Sequence, residues 1–385
     1  MKHMNIRKTF LLGLAFLLLL SGCCRIRSNS VTFRVSTVKV QTRTAYSGET
    51  DASGYERIDW KDGDWIGIYC AQATRLYGVT SLLADYSILS HETYSSTVSR
   101  AQIAPAGDPN GLQWGTGEHK FYAVYPSPNS PELTDAEKAK VSLDASAFVG
   151  FIPSEQTVTQ KSGTTTWLPQ MQYAWMFART VVSGQQASVE LSFAPEFTAM
   201  EITVGSGDND QVDLTSFSLT TSAEGYAVAG EFTIPVESEE TESTFSYANT
   251  SQSLTIDFTA LPGGKLTVEK GTPVTFTVFM LPREQKNLTL SFTGDQIGTK
   301  KLALSDRDMN TLVFQGRRKI RITGISLPKL MSATGEDIIW DHEAAGEGII
   351  WSENAAGERI EWNSNGHGGN VNWGEDSEGG DITWD

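Results

Sequence analysis

The chain has 385 residues and a formal net charge of −16, with 39% hydrophobic and 20% charged residues. That length is enough for two domains of about 100–200 residues each. The acidic balance argues against nucleic acid or anionic lipid headgroups as partners, and three cysteines make no disulfide framework.

The N-terminus reads MKHMNIRKTFLLGLAFLLLLSGCC. Lys2, Arg7 and Lys8 form a positive n-region, and Phe10 to Leu20 form an apolar run. That run is shorter than the ~20 residues a spanning helix needs and has the shape of a signal-peptide core. Leu20-Ser21-Gly22-Cys23 follows it and resembles a bacterial lipobox. We therefore expect a lipoprotein signal at 1–22, acylation of Cys23, and a short linker at 23–30 that anchors the mature chain to an outer membrane.

Only Cys24 and Cys70 then remain as thiols, and His91, His119, His342 and His367 as histidines. No G-x-S-x-G, H-E-x-x-H, P-loop or dinucleotide-binding turn occurs. The cluster from Gly207 to Asp213, GDNDQVD, lacks EF-hand spacing and reads as a turn between strands rather than a calcium loop. The expectation is a non-enzymatic protein with no catalytic residues, no metal and no cofactor.

From Val31 onward the pattern is β. Val31, Phe33 and Val35 alternate with polar residues, as do Val189, Leu191 and Phe193, then Leu254, Ile256 and Phe258. Val274, Phe276, Val278 and Met280 share one face of PVTFTVFMLP, and NLTLSFTG, TLVF and KIRITGISL continue the series. AEKAK at 136–140 is the one short helix expected. Short strands separated by turns point to an all-β protein of sandwiches. A composition shift near Ser183-Gly184-Gln185 suggests an N-terminal domain over 31–184 and a C-terminal domain over 185–330.

Lys61-Asp62-Gly63-Asp64 has turn chemistry, with a glycine for positive φ and aspartates that can bond nearby N–H groups. The strand after it alternates Trp65, Gly67 and Tyr69 with Ile66, Ile68 and Cys70, which suits two covered faces. Cys70 reads as a buried apolar residue, and Trp60 and Trp65 as core.

Several of these stretches resemble the fimbrillin-like family of surface lipoproteins, which includes type V pilus subunits. Trp60, Gly63, Asp64, Ile66, Ile68 and Tyr69 are similar to its W-x-x-G-D-x-I-x-V/I-Y signature. Phe121 to Pro126 (FYAVYP) and Leu281-Pro282 match further pieces. The resemblance implies two tandem transthyretin-like sandwiches and a structural or accessory role in a fimbria. It further implies that a protease removes the first strand after an arginine and that a neighbouring subunit's strand fills the gap. Arg43, ending VTFRVSTVKVQTR, matches that arginine, with Arg25, Arg27 and Arg34 as alternatives. Expected partners are other fimbrial subunits by strand exchange, the outer membrane through the lipid, and host or bacterial surface ligands. A surface glycan-binding lipoprotein is the alternative.

The tail, 331–385, departs from the family. Trp340, Trp351, Trp362, Trp373 and Trp384 recur every eleven residues, each two positions after Ile338, Ile349, Ile360, Val371 or Ile382. From Glu336 onward the segment carries −12, with Arg359 its single cation. Ile and Trp at i and i+2 share one face of a strand, so each repeat reads as a short strand plus a glycine-bearing turn. A stacked meander or small solenoid competes with a disordered extension that binds a partner one tooth at a time. We expect the former, a β-repeat appendage for adhesion or interaction.

Overall fold

The computed structural model describes residues 29–37, 60–76, 78–95, 98–107, 111–207, 209–237, 245–304, 312–314, 316–317 and 319–327, together with five short tail strands. In chain order the first strands are β1 (Phe33–Thr37), β2 (Trp65–Tyr69), β3 (Leu83–Ser95), β4 (Val98–Pro105) and β5 (His119–Tyr125). Helix α1 (Asp135–Lys138) precedes β6 (Ser142–Leu143), β7 (Ala147–Ile152), β8 (Glu155–Gln156), β9 (Val158–Gln160) and β10 (Thr166–Pro169). Next come β11 (Met176–Val182), β12 (Val189–Pro195), β13 (Thr198–Gly205), β14 (Gln211–Leu214), β15 (Ser216–Thr221) and β16 (Ala229–Pro235). The series goes on with β17 (Ser246–Ser251), β18 (Ser253–Asp257), β19 (Leu266–Glu269), β20 (Val274–Met280), β21 (Gln285–Lys286) and β22 (Leu288–Gly294). The body ends with β23 (Gly298–Ala303), β24 (Val313–Phe314) and β25 (Lys319–Ser326).

Seven strands close on themselves in the order β1-β12-β11-β5-β2-β3-β4. Closure depends on β1, which pairs parallel with β12 on one side and antiparallel with β4 on the other. Period-2 alternation explains why these stretches are strands. In β1, Phe33, Val35 and Thr37 are buried while Arg34 is exposed, and β12 buries Val189, Leu191 and Phe193.

Two further sheets face each other as a sandwich. One runs β25-β13-β20-β10-β9, and the other contains β23-β22-β15-β18-β8. Their inner faces meet through Phe217 and Phe276, with ring centroids 5.0 Å apart, beside a cluster that includes Ile202, Val278, Leu254 and Leu290. A separate cluster fills the ring of seven strands and extends to Phe148, Trp175, Phe232 and Phe279. Pairing runs across residues 184/185 in both directions: β12 joins β1 and β11, while β7, β8 and β10 join β16, β18 and β20.

The short helix forms where AEKAK was expected, over one turn. Thr134 accepts from the Glu137 N–H, and the Glu137 side chain accepts from the Thr134 N–H, a reciprocal cap. The GDNDQVD stretch is a turn into β14: Gly207 has φ +61 and Asn209 donates to the Ser206 and Leu327 carbonyls at 2.8 Å each.

The tail strands are β26 (Ile338–Ile339), β27 (Ile349–Ile350), β28 (Ile360–Trp362), β29 (Val371–Asn372) and β30 (Ile382–Trp384). They pair in parallel with every second repeat rather than with the next one. β26, β28 and β30 form one ladder, and β27 and β29 a second that continues onto β23.

Candidate functional site: the groove filled by the first strand

The residues of β1 sit in a slot whose walls come from distant parts of the chain. Phe33 stands beside Val189, Val35 beside Leu191 and Ala101, and Thr37 beside Phe193. At the floor, the Phe33 ring meets Tyr86 edge-on at 5.1 Å and Phe121 at 5.2 Å. The Tyr86 hydroxyl accepts from the Leu112 N–H at 2.8 Å, and the Leu112 carbonyl accepts from the Val31 N–H at 2.9 Å. Gly111 permits this approach: it has φ +52, and a Cβ there would come within 2.6 Å of the Tyr86 hydroxyl.

The outward side of β1 is polar. Arg34 lies in register between Glu190 of β12 and Gln102 of β4, so opposite charges are cross-strand neighbours. Ser36 and Ser192 hydroxyls lie 3.4 Å apart. The strand is therefore amphipathic, with Phe33 and Val35 directed inward, Val31 buried just before them, and main-chain ladders on both flanks.

The signature residues form the opposite part of the ring. Gly63 takes φ +89, and the Asp64 carboxylate accepts from the Lys61 N–H at 2.9 Å, as the turn chemistry requires. Ile66, Ile68 and Cys70 are buried inside, and a Cβ on Gly67 would meet Pro128 Cδ at 3.0 Å and Ser127 Oγ at 3.2 Å. Both faces of β2 are thus covered, the outer one by the segment after β5. Trp60 is core, edge-on to Tyr125 and Phe193 at 5.4 Å each. Trp65 is only half-buried, because it opens the strand at the rim and shares the outer face with Gly67 and Tyr69. Cys70 is fully buried, and that burial pushes its thiol pKa up.

His119 and Asp213 are both held by structural hydrogen bonds. His119 accepts from the Gly115 N–H through Nε2 and donates through Nδ1 to the Gly117 carbonyl, both at 3.0 Å. Burial opposes charge on Asp213, but hydrogen bonds from Lys265, Thr267 and Gln211 outweigh it and hold the carboxyl below its usual range. Among the described residues no group of three His, Cys, Asp or Glu could hold a metal ion.

Of the residues expected to matter from the sequence, Cys23, Arg43, Trp340, Trp351 and Trp373 lie outside the described residues. Trp362 and Trp384 are register partners on β28 and β30. Sequence reading missed the socket for the first strand: Tyr86 and Phe121 reach Phe33, and Leu112 reaches Val31, only through tertiary contact. The one available signal was the alternation in VELSF, which matches that of VTFRV but does not say the two strands pair.

This arrangement, a closed all-β ring completed by its first strand, together with a β-sandwich, defines an all-β class of protein. The chain matches the fimbrillin-like family over residues 42–326 and belongs to it. Its structure is similar to a candidate cell adhesion protein from Bacteroides uniformis (14% identity, TM-score 0.40, 74% of this chain and 90% of that one). A second likeness is to a fimbrial assembly protein from Parabacteroides distasonis (12% identity, TM-score 0.37, 79% and 93%). A third is to a candidate cell adhesion protein from Bacteroides ovatus (13% identity, TM-score 0.40, 74% and 95%). No match was found among curated proteins.

Proposed function

We propose that this chain is a non-enzymatic surface lipoprotein, a structural or accessory subunit of a fimbria, held to the outer membrane through acylated Cys23 until its first strand is removed. On this reading cleavage after Arg43 releases β1, and a neighbouring subunit's strand takes its place and contributes to cell adhesion. The observation that carries this is the seating of β1. Phe33 and Val35 of β1, and Val31 just before it, are almost wholly buried. Burying each such side chain is worth about 1.5–3 kcal/mol. Losing the strand would expose the slot and leave two unpaired strand edges, on β4 and β12, so an incoming strand with apolar residues at alternate positions would be strongly favoured.

Arg-specific proteolysis of the purified precursor tests the proposal. The expected outcome is assembly into rods, with Thr44 as the new N-terminus by mass spectrometry. A clipped product that stays monomeric at high concentration would overturn it.

A further inference from the structure

The tail offers a relationship that the family resemblance does not cover. Its repeats are eleven residues long, but its pairing period is twenty-two: Ile338 is beside Ile360, and Ile360 beside Ile382, while Ile349 is beside Val371. The leading Ile or Val of each repeat is therefore the register partner of another, and Trp362 is the register partner of Trp384. The central positions of one ladder are Ile339, Glu361 and Thr383, and of the other Ile350 and Asn372. Only one of these is charged, so among the described strand residues no like charges are register partners. Odd and even repeats thus form separate ladders, and the two ladders have different neighbours. Among the described residues the first ladder pairs only with itself, whereas the second reaches the body through Ile350 beside Lys301.

That contact lies on the outer edge of β23, the last body strand of its sheet. An uncovered edge presents a row of unpaired N–H and C=O groups and invites pairing with another chain. β23 carries Lys300 and Lys301, the latter exposed, whereas the tail carries −12 with a single arginine. The arriving strand, Ile349–Ile350, is itself uncharged, but it belongs to a segment opposite in charge to this edge.

We propose that the lysine-bearing edge of β23 is the docking surface for the chain's own acidic repeat tail. The even repeats extend the body sheet and cap its edge, while the odd repeats form a ladder of their own. This inference is independent of strand exchange at β1, since the two surfaces belong to different sheets.

Hydrogen exchange of the peptide covering 298–303 in the full chain tests it. Proline at position 350 removes a donor from the docked ladder, and proline at 339 does the same in the free ladder. Ile350→Pro should speed exchange at 298–303 by roughly tenfold or more, as should ending the chain after Leu327. Ile339→Pro should leave that peptide unchanged, and high salt should speed its exchange in the unsubstituted chain. Equal exchange with and without the tail would overturn the proposal, as would equal effects of the two proline variants. Protection that grows with protein concentration would also overturn it, because the tail would then be seated on a second copy.

Discussion

Phe33 and Phe121 meet edge to face with ring centroids 5.2 Å apart and planes at 83°. They belong to β1 and β5, which are not hydrogen-bonded neighbours, so the contact spans the interior of the ring of seven strands. The first strand is thereby held by side-chain packing against the far wall as well as by its two ladders. Truncating Phe33 should leave a cavity between Tyr86 and Phe121. We expect Phe33→Ala to lower stability by about 3–5 kcal/mol, measured by denaturant unfolding of the unclipped chain. Arg34→Ala, on the exposed side of the same strand, should stay within about 0.5 kcal/mol.

A second prediction concerns pH. Tyr173 donates to Glu137 Oε1 at 2.5 Å, tying the 3₁₀ turn before β11 to helix α1. Partial burial pushes Glu137 up, but hydrogen bonds from Tyr173 and Thr134 outweigh it and hold the carboxyl below its ordinary value. Burial and the same bond push Tyr173 up to about 12. A depressed carboxyl stabilises the fold above its unfolded pKa, and the gain is lost as pH falls through the folded value. A raised tyrosine stabilises the fold below its unfolded pKa, and the gain is lost as pH rises through about 12. Tyr173→Phe should cost about 1 kcal/mol near neutral pH, since Glu137 remains partly solvated. Measured by thermal unfolding against pH, the difference from the parent should shrink below about pH 4.

Cys70 should be unreactive in the native protein. Burial raises its thiol pKa, and its Sγ donates to Gln72 Oε1 at 3.6 Å. The nucleophile is the thiolate, and reagent must also reach it. Alkylation followed by peptide mass analysis should leave Cys70 unmodified until denaturant is added. Labelling at the native rate of an exposed thiol would show that β2 opens readily.

Membrane attachment should depend on one residue. Cys23→Ala should release the chain from the membrane fraction if the anchor is acyl. Continued sedimentation with membranes, with the leader still attached, would make residues 10–20 part of a membrane-inserted segment instead.

Several strands were legible in the sequence because one-sided burial leaves a period of two. β1, β12, β18, β20 and β22 all lie where alternating apolar residues predicted them. The turn before β2 was legible for a local reason too, since Gly63 and Asp64 satisfy its geometry within four residues. Trp65 shows where this reading stops. Its neighbours Ile66 and Ile68 are buried by the ring, but its own exposure depends on how far the segment after β5 covers the outer face.

The tail makes the same point over a longer range. The eleven-residue period is printed in the chain, but the pairing period is twice that, because each strand pairs with the second repeat along rather than with the next. What the sequence by itself determined was therefore local: strand positions, turn positions, the acidic tail, the lipobox-like leader and the family signature. Only the tertiary structure decided that β1 lies parallel to β12, that Phe33 rests on Tyr86 and Phe121, and that Lys301 pairs with Ile350. Alternation states which face of a strand seeks burial, but not which strand supplies it, since any amphipathic edge offers the same backbone groups and partner choice depends on packing between residues far apart in the chain.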